Sequence, residues 1–109
     1  MGDSDSYLDL AQRIEEGFPE IENDIIMDLQ ESDEDYASLC RKISEFKAAH
    51  PIISKIVEGS GDITLTSEEH IAVVEYFYLQ FHRESMERQR LYFRGHTDCI
   101  SYLKKVGAI

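Results

Sequence analysis

The sequence has no tryptophan, two prolines, two cysteines and no apolar run near the ~18 residues that a membrane-spanning helix needs. Its opening residues, Met1-Gly2-Asp3-Ser4-Asp5-Ser6, are acidic where an export signal is basic and then apolar. A cytoplasmic location with no membrane partner is the resulting expectation. Cys40 and Cys99 have no CxxC spacing, so in a reducing compartment free thiols are expected rather than a bridge. Basic residues are nearly missing from the first third: residues 1–35 hold Arg13 alone against 13 carboxylates. The balance reverses over 83–105, where Arg83, Arg88, Arg90, Arg94, Lys104 and Lys105 face Glu84, Glu87 and Asp98. With a net charge of −11, the uneven distribution argues that the acidic front packs beside the basic C-terminal segment, within one chain or across a dimer.

What is present is helical periodicity. At 109 residues, 42% of them hydrophobic, the chain suffices for one packed domain, 1–109, with residues 1–5 expected to be a flexible tail. Leu8, Leu10, Ala11 and Ile14 predict a short helix stopping at Gly17, and Pro19 suits the first turn of a second helix carrying Ile21, Ile25, Met27 and Leu29. Ser32, followed by Asp33, Glu34 and Asp35, reads as a cap for a helix over about 33–48 with Tyr36, Leu39, Cys40, Ile43 and Phe46 on one side. His50-Pro51 interrupts it and opens a short helix through Ile52, Ile53, Ile56 and Val57, closed by Gly59-Ser60-Gly61-Asp62. That glycine pair lacks the strand and the Lys-Ser/Thr of a phosphate loop.

Thr66-Ser67-Glu68-Glu69 is a capping box at the start of the longest helix, about 66–105. Ile71, Val74, Tyr78, Phe81, Ser85, Arg88, Tyr92, Gly95, Cys99, Tyr102 and Val106 follow steps of three and four, the spacing of a packing stripe. Gly95 is a site for a kink, or for close approach of a second helix. The fold class is therefore all-α: a four- to five-helix bundle, with residues 36–57 packed against Ile71 to Phe81. A helix this long outruns the preceding segments, which argues for homodimerisation through the C-terminal helix.

Chemistry-bearing residues are few. Tyr92, His96 and Cys99 at i, i+4 and i+7 share a helical face, with core packing expected for Tyr92 and Cys99. His96 and Cys99, doubled across a twofold axis, are the candidate zinc ligands. Glu84-x-x-Glu87 and Glu31-x-x-Glu34 have magnesium-binding spacing without an ExxD partner; Glu84 and Glu87 are kept as metal candidates. His82 and His96 are about 21 Å apart along the axis and cannot share an ion within one chain. Arg83, Arg90 and Arg94 share a face near Tyr92 and Phe93 and form the candidate anion-binding group, although the overall charge disfavours nucleic acid.

The segments Leu65-Thr66-Ser67-Glu68-Glu69-His70, Glu87-Arg88, Leu91-Tyr92-Phe93-Arg94-Gly95-His96-Thr97-Asp98 and Tyr102 to Ile109 resemble small all-helical proteins of unknown function from Gram-positive anaerobic bacteria. The resemblance covers about the last 45 residues, rests on the Tyr-Phe-x-Gly-His-x-Asp run, and implies a helical module without an assigned activity. The leading expectation is a non-enzymatic interaction or oligomerisation module with an unknown protein partner and no cofactor. The alternatives are a metal-dependent hydrolase acting on nucleotides and a nucleic-acid-associated regulator.

Overall fold

In the computed structural model the described residues form four helices: α1 (Asp3–Ser32), α2 (Glu34–Ala49), α3 (Pro51–Glu58) and α4 (Ser67–Lys105). The backbone is described over residues 3–109 and side chains from Ala11 onward. Positions 1 and 2 of the expected tail, and the side chains of Leu8 and Leu10, lie outside the described residues.

The expected break at Gly17 does not occur, and α1 runs on through Gly17 and Pro19 as one helix. An interior proline removes a backbone hydrogen bond and crowds the carbonyl four residues back, costing about 3 kcal/mol. Tertiary burial offsets that cost. Ile25 and Leu29 are buried with Tyr36, and Ile21 packs on the same cluster beside Leu91 of α4. Ile14 and Phe18 before the proline and Ile21, Ile25 and Leu29 after it keep one 3–4 spacing, so the helix holds a common contact surface on both sides of it.

One extended residue, Asp33, turns α1 into α2. Its amide donates to the Leu29 carbonyl at 2.9 Å, and its carboxylate accepts the Tyr36 amide at 3.1 Å. Asp33 is thus the cap expected of Ser32, whose hydroxyl instead donates back to the Asp28 carbonyl at 2.7 Å. At the next corner the His50 ring stacks on Phe46 at 4.2 Å, and its Nδ1 lies 2.9 Å from the Phe46 carbonyl. Pro51 then opens α3, and Lys47 reaches Glu58 at 2.8 Å to tie α2 to α3.

Helix α4 begins with the complete capping box: the Thr66 amide donates to Glu69 Oε1 at 2.9 Å, and the Thr66 hydroxyl accepts the Glu69 amide at 3.1 Å. It is continuous through Gly95. At its end Gly107, with φ +79°, donates to the Lys104 carbonyl while Ala108 donates to Leu103, the paired bonds of a Schellman turn.

Among the described residues two apolar clusters make the core. Leu39, Ile43, Ile52, Ile53, Tyr76 and Leu79 join α2, α3 and α4; Ile25, Leu29 and Tyr36 join α1 to α2. Met86 packs against both, so the middle of α4 is their common wall. The expected contact of residues 36–57 with the first half of α4 is present, but the inward residues are Ala72, Tyr76 and Leu79, not Ile71, Val74, Tyr78 and Phe81. The radius of gyration, 19.8 Å, exceeds the ~13 Å of a compact chain this size, and the longest dimension is 63 Å.

Pro19→Ala tests the continuity of α1. Restoring the hydrogen bond within a helix already held by its apolar face is expected to raise the unfolding free energy by up to about 3 kcal/mol, read from urea denaturation. Unchanged or lower stability would mean that α1 is interrupted at Pro19.

Candidate functional site

Each core residue of α4 is followed two positions later by an exposed apolar one: Ala72 by Val74, Tyr76 by Tyr78, Leu79 by Phe81. Two residues correspond to about 200° around a helix, so the second row points away from the bundle. Tyr78 is 72% exposed, Phe81 64%, Ile71 67% and Tyr92 68%. Arg88 lies over the Phe81 ring at 5.5 Å and 3.8 Å from Glu84, so its stem helps to extend the row towards Tyr92. A helix with apolar residues on opposite faces is normally covered on both. Here the bundle covers one, and the outer row is the candidate interface.

The stripe expected from the sequence therefore divides. Its first part faces outward, whereas Gly95, Cys99, Tyr102 and Val106 line a cleft of about 760 Å³ between the end of α4 and Ile14, Phe18 and Ile21 of α1. Core packing expected for Tyr92 and Cys99 is not found: both side chains are exposed. The first helix turns its apolar side toward the inner flank of α4, and Tyr92 is left exposed.

Along the inner face, between the clusters, α4 carries polar side chains. The Tyr36 hydroxyl donates to Glu87 at 2.5 Å, Gln80 donates to the Tyr76 hydroxyl at 2.6 Å, and Arg83 Nε lies 4.0 Å from Glu87. Gln80 Oε1 and Arg83 Nε are buried without hydrogen-bond partners. Burial first, and then the hydrogen bond to the Glu87 carboxylate, drive the Tyr36 phenol far above its ordinary 10.0.

The candidate anion-binding residues lie on this inner side, half-buried, and each faces a carboxylate: Arg83 faces Glu87, Arg90 reaches Asp28 of α1 at 2.7 Å, and Arg94 Nε holds both oxygens of Asp98 at 3.1 Å. They are spread over about 16 Å of helix rather than gathered. Arg90 to Asp28 is the acidic-front, basic-rear contact anticipated from the charge asymmetry. Of the metal candidates, His96 meets Tyr92 edge to face at 4.5 Å, Cys99 is on the cleft wall, and Glu84 and Glu87 engage Arg88 and Tyr36. Among the described residues no three His, Cys, Asp or Glu side chains converge as a metal site. No helix there is long and apolar enough to cross a membrane.

A family model described as a family of unknown function (DUF6664) matches residues 6–109. The chain belongs to this family. No curated protein and no solved structure matches it. The family covers the bundle from within α1 through the end of α4, so the outer row and the cleft both lie inside the matched region.

Tyr36→Phe measures the buried hydrogen bond. At neutral pH it is expected to lower stability by about 1.5 kcal/mol, the loss of a bond to a charged acceptor. The folded protein holds the phenolic proton more tightly than the unfolded chain, so this contribution is complete below pH 10.0 and is lost as pH rises beyond it. Urea unfolding between pH 9 and 12 should therefore show a steeper alkaline decline for the wild type than for Tyr36→Phe; parallel curves would refute the assigned proton.

Proposed function

We propose that the protein is a non-enzymatic helical self-association module that pairs with a second copy through the outer row of α4. The carrying observation is the row Ile71, Val74, Tyr78 and Phe81, largely uncovered and opposite the core. A contiguous apolar patch on a small domain marks an interaction surface.

Charge along α4 selects the orientation. Residues 67–82 contain Glu68, Glu69 and Glu75 and no Lys or Arg, whereas 83–105 contain six cations against three carboxylates. Parallel pairing sets like charge on like; antiparallel pairing sets each acidic half beside a basic one. With the twofold axis midway between Phe81 and His82, Ile71 lies opposite the partner subunit's Tyr92, Tyr78 opposite the partner subunit's Ser85, and Glu75 within reach of the partner subunit's Arg88. Large meets small and negative meets positive in that register. Support for the non-enzymatic half of the reading is that Tyr36 with Glu87, Gln80 with Tyr76 and Arg90 with Asp28 bond to one another within the bundle rather than converging on a pocket.

Sedimentation equilibrium of the wild type and of Tyr78→Glu/Phe81→Glu tests this. The wild type is expected to be a dimer at micromolar concentration, and the double variant a monomer with unchanged helical circular dichroism. Its dissociation constant should rise at least about 100-fold, as for loss of two central aromatic contacts. A wild type that sediments as a monomer at that concentration overturns the reading.

A further inference from the structure

We infer that the lead-in to α4, residues 59–66 of one copy, packs against the last turns of the other copy's α4, so that the contact between copies extends past the outer row at both ends. The inference rests on the antiparallel self-association proposed above and adds a second element to the same surface.

The outward face of α4 does not stop at Tyr92. At about 100° per residue His96 repeats the direction of Tyr78, and Phe93 and Ile100 lie within about 60° of it. Tyr92 meets Phe93 and His96 with ring centroids 6.4 and 4.5 Å apart. Phe93 is 66% exposed and Ile100 50%, and neither lines the cleft with α1. In the register set by the twofold axis, His96 stands level with the partner subunit's Ser67, where that helix begins. Ile100 therefore overhangs the partner's α4 by about 6 Å, beyond what that helix can cover.

The chain that precedes Ser67 is the segment 59–66. Leu65 packs against the core cluster of α2, α3 and α4 and so holds the segment at the start of α4. Ile63, two residues earlier, is 47% exposed, as is Val57 at the end of α3, at 50%. Exposed apolar residues thus stand at the start of α4 as well as at its end. Charge distinguishes the two places. Residues 58–69 hold Glu58, Asp62, Glu68 and Glu69 and no Lys or Arg, whereas 99–109 hold Lys104 and Lys105 and no Asp or Glu. Glu58 is held by Lys47, Glu69 by the capping box, and Lys105 lines the cleft. Asp62 and Lys104 are exposed and have no ion-pair partner among the described residues. An apolar contact of Ile63 with the partner subunit's Ile100, edged by Asp62 and the partner subunit's Lys104, has the composition of an interface core with its polar rim.

Cysteine cross-linking of the full chain tests the contact. In a Cys40→Ser/Cys99→Ser background, Ile63→Cys/Ile100→Cys is expected to give a covalent dimer on mild oxidation. A bridge within one chain is too long: Ser67 and Ile100 are about 50 Å apart along α4, and four extended residues recover only about 14 Å, against the ~7 Å limit of a disulfide. Tyr78→Cys/Ser85→Cys, about 10 Å apart along one helix, reports on the outer row alone. Coupling at 78–85 without coupling at 63–100 overturns this inference and leaves the self-association standing. Coupling at neither pair overturns the register and this contact with it, and a monomeric wild type overturns the self-association as well. Ile100→Glu places a carboxylate against the partner subunit's Ile63 and the partner subunit's Asp62. It should raise the dimer dissociation constant about tenfold with helical circular dichroism unchanged. An unchanged constant overturns the contact.

Discussion

A helix of 39 residues is about 58 Å long, and each of the other three helices must find its apolar partners on it. Helices of 16 and 8 residues reach only about 24 and 12 Å, so α2 and α3 cover one side of its first half. The 30-residue α1 approaches on a different flank, nearer the far end. Three helices of these lengths leave the back of α4 uncovered and α1 only loosely closed over its last turns. The elongated shape, the outer row and the cleft are consequences of this one mismatch in length.

A long helix with apolar residues on opposite faces needs something other than hydrophobicity to decide which face turns inward, because burial is non-directional. The inner polar side chains supply the choice. Glu87 accepts the Tyr36 hydroxyl of α2, and Arg90 donates to Asp28 of α1. Rotating α4 by half a turn would turn the outer apolar row toward α2 and α3 but strand the Tyr36 hydroxyl without its acceptor. An unpaired buried hydroxyl costs on the order of 1–3 kcal/mol, which the observed packing avoids. Phase is thus selected by polar contacts lying between the two apolar clusters that Met86 bridges.

This explains what the sequence revealed and what it did not. Local signals were read where the chemistry is local: Pro51 opening α3, the reciprocal bonds of Thr66 and Glu69, and the cap region before Tyr36. Choosing between adjacent capping residues Ser32 and Asp33 needed the geometry of the corner. The break expected at Gly17 and Pro19 failed because tertiary burial of Ile25 and Leu29 outweighs a proline's local cost. The stripe beginning at Ile71 had the right period and the wrong phase, since Ala72, Tyr76 and Leu79 obey the same spacing. Gly107 at positive φ ends α4, a stop signal local to the last turn. Arg83, Arg90 and Arg94 do share a face, but only the fold shows that it turns toward carboxylates. The cleft joins residues about 80 positions apart, and no local pattern could disclose it.

The charge pattern reconciles a net charge of −11 with the pairing proposed for α4. Long-range repulsion between two acidic chains opposes association, but at 0.1 M salt charges are screened over about 10 Å, so those near the contact decide the outcome. The acidic surplus is concentrated in α1 and its junction with α2, and α1 lies on a different flank of α4 from the outer row. Asp28 is further engaged by Arg90 within the chain. What remains beside the outer row is the alternation belonging to α4 itself, acidic before Arg83 and basic after it, which is self-complementary only when two copies run in opposite directions. The segregation that binds α1 to α4 therefore also clears the opposite face of excess charge, so the distribution that serves folding also suits the association proposed for α4.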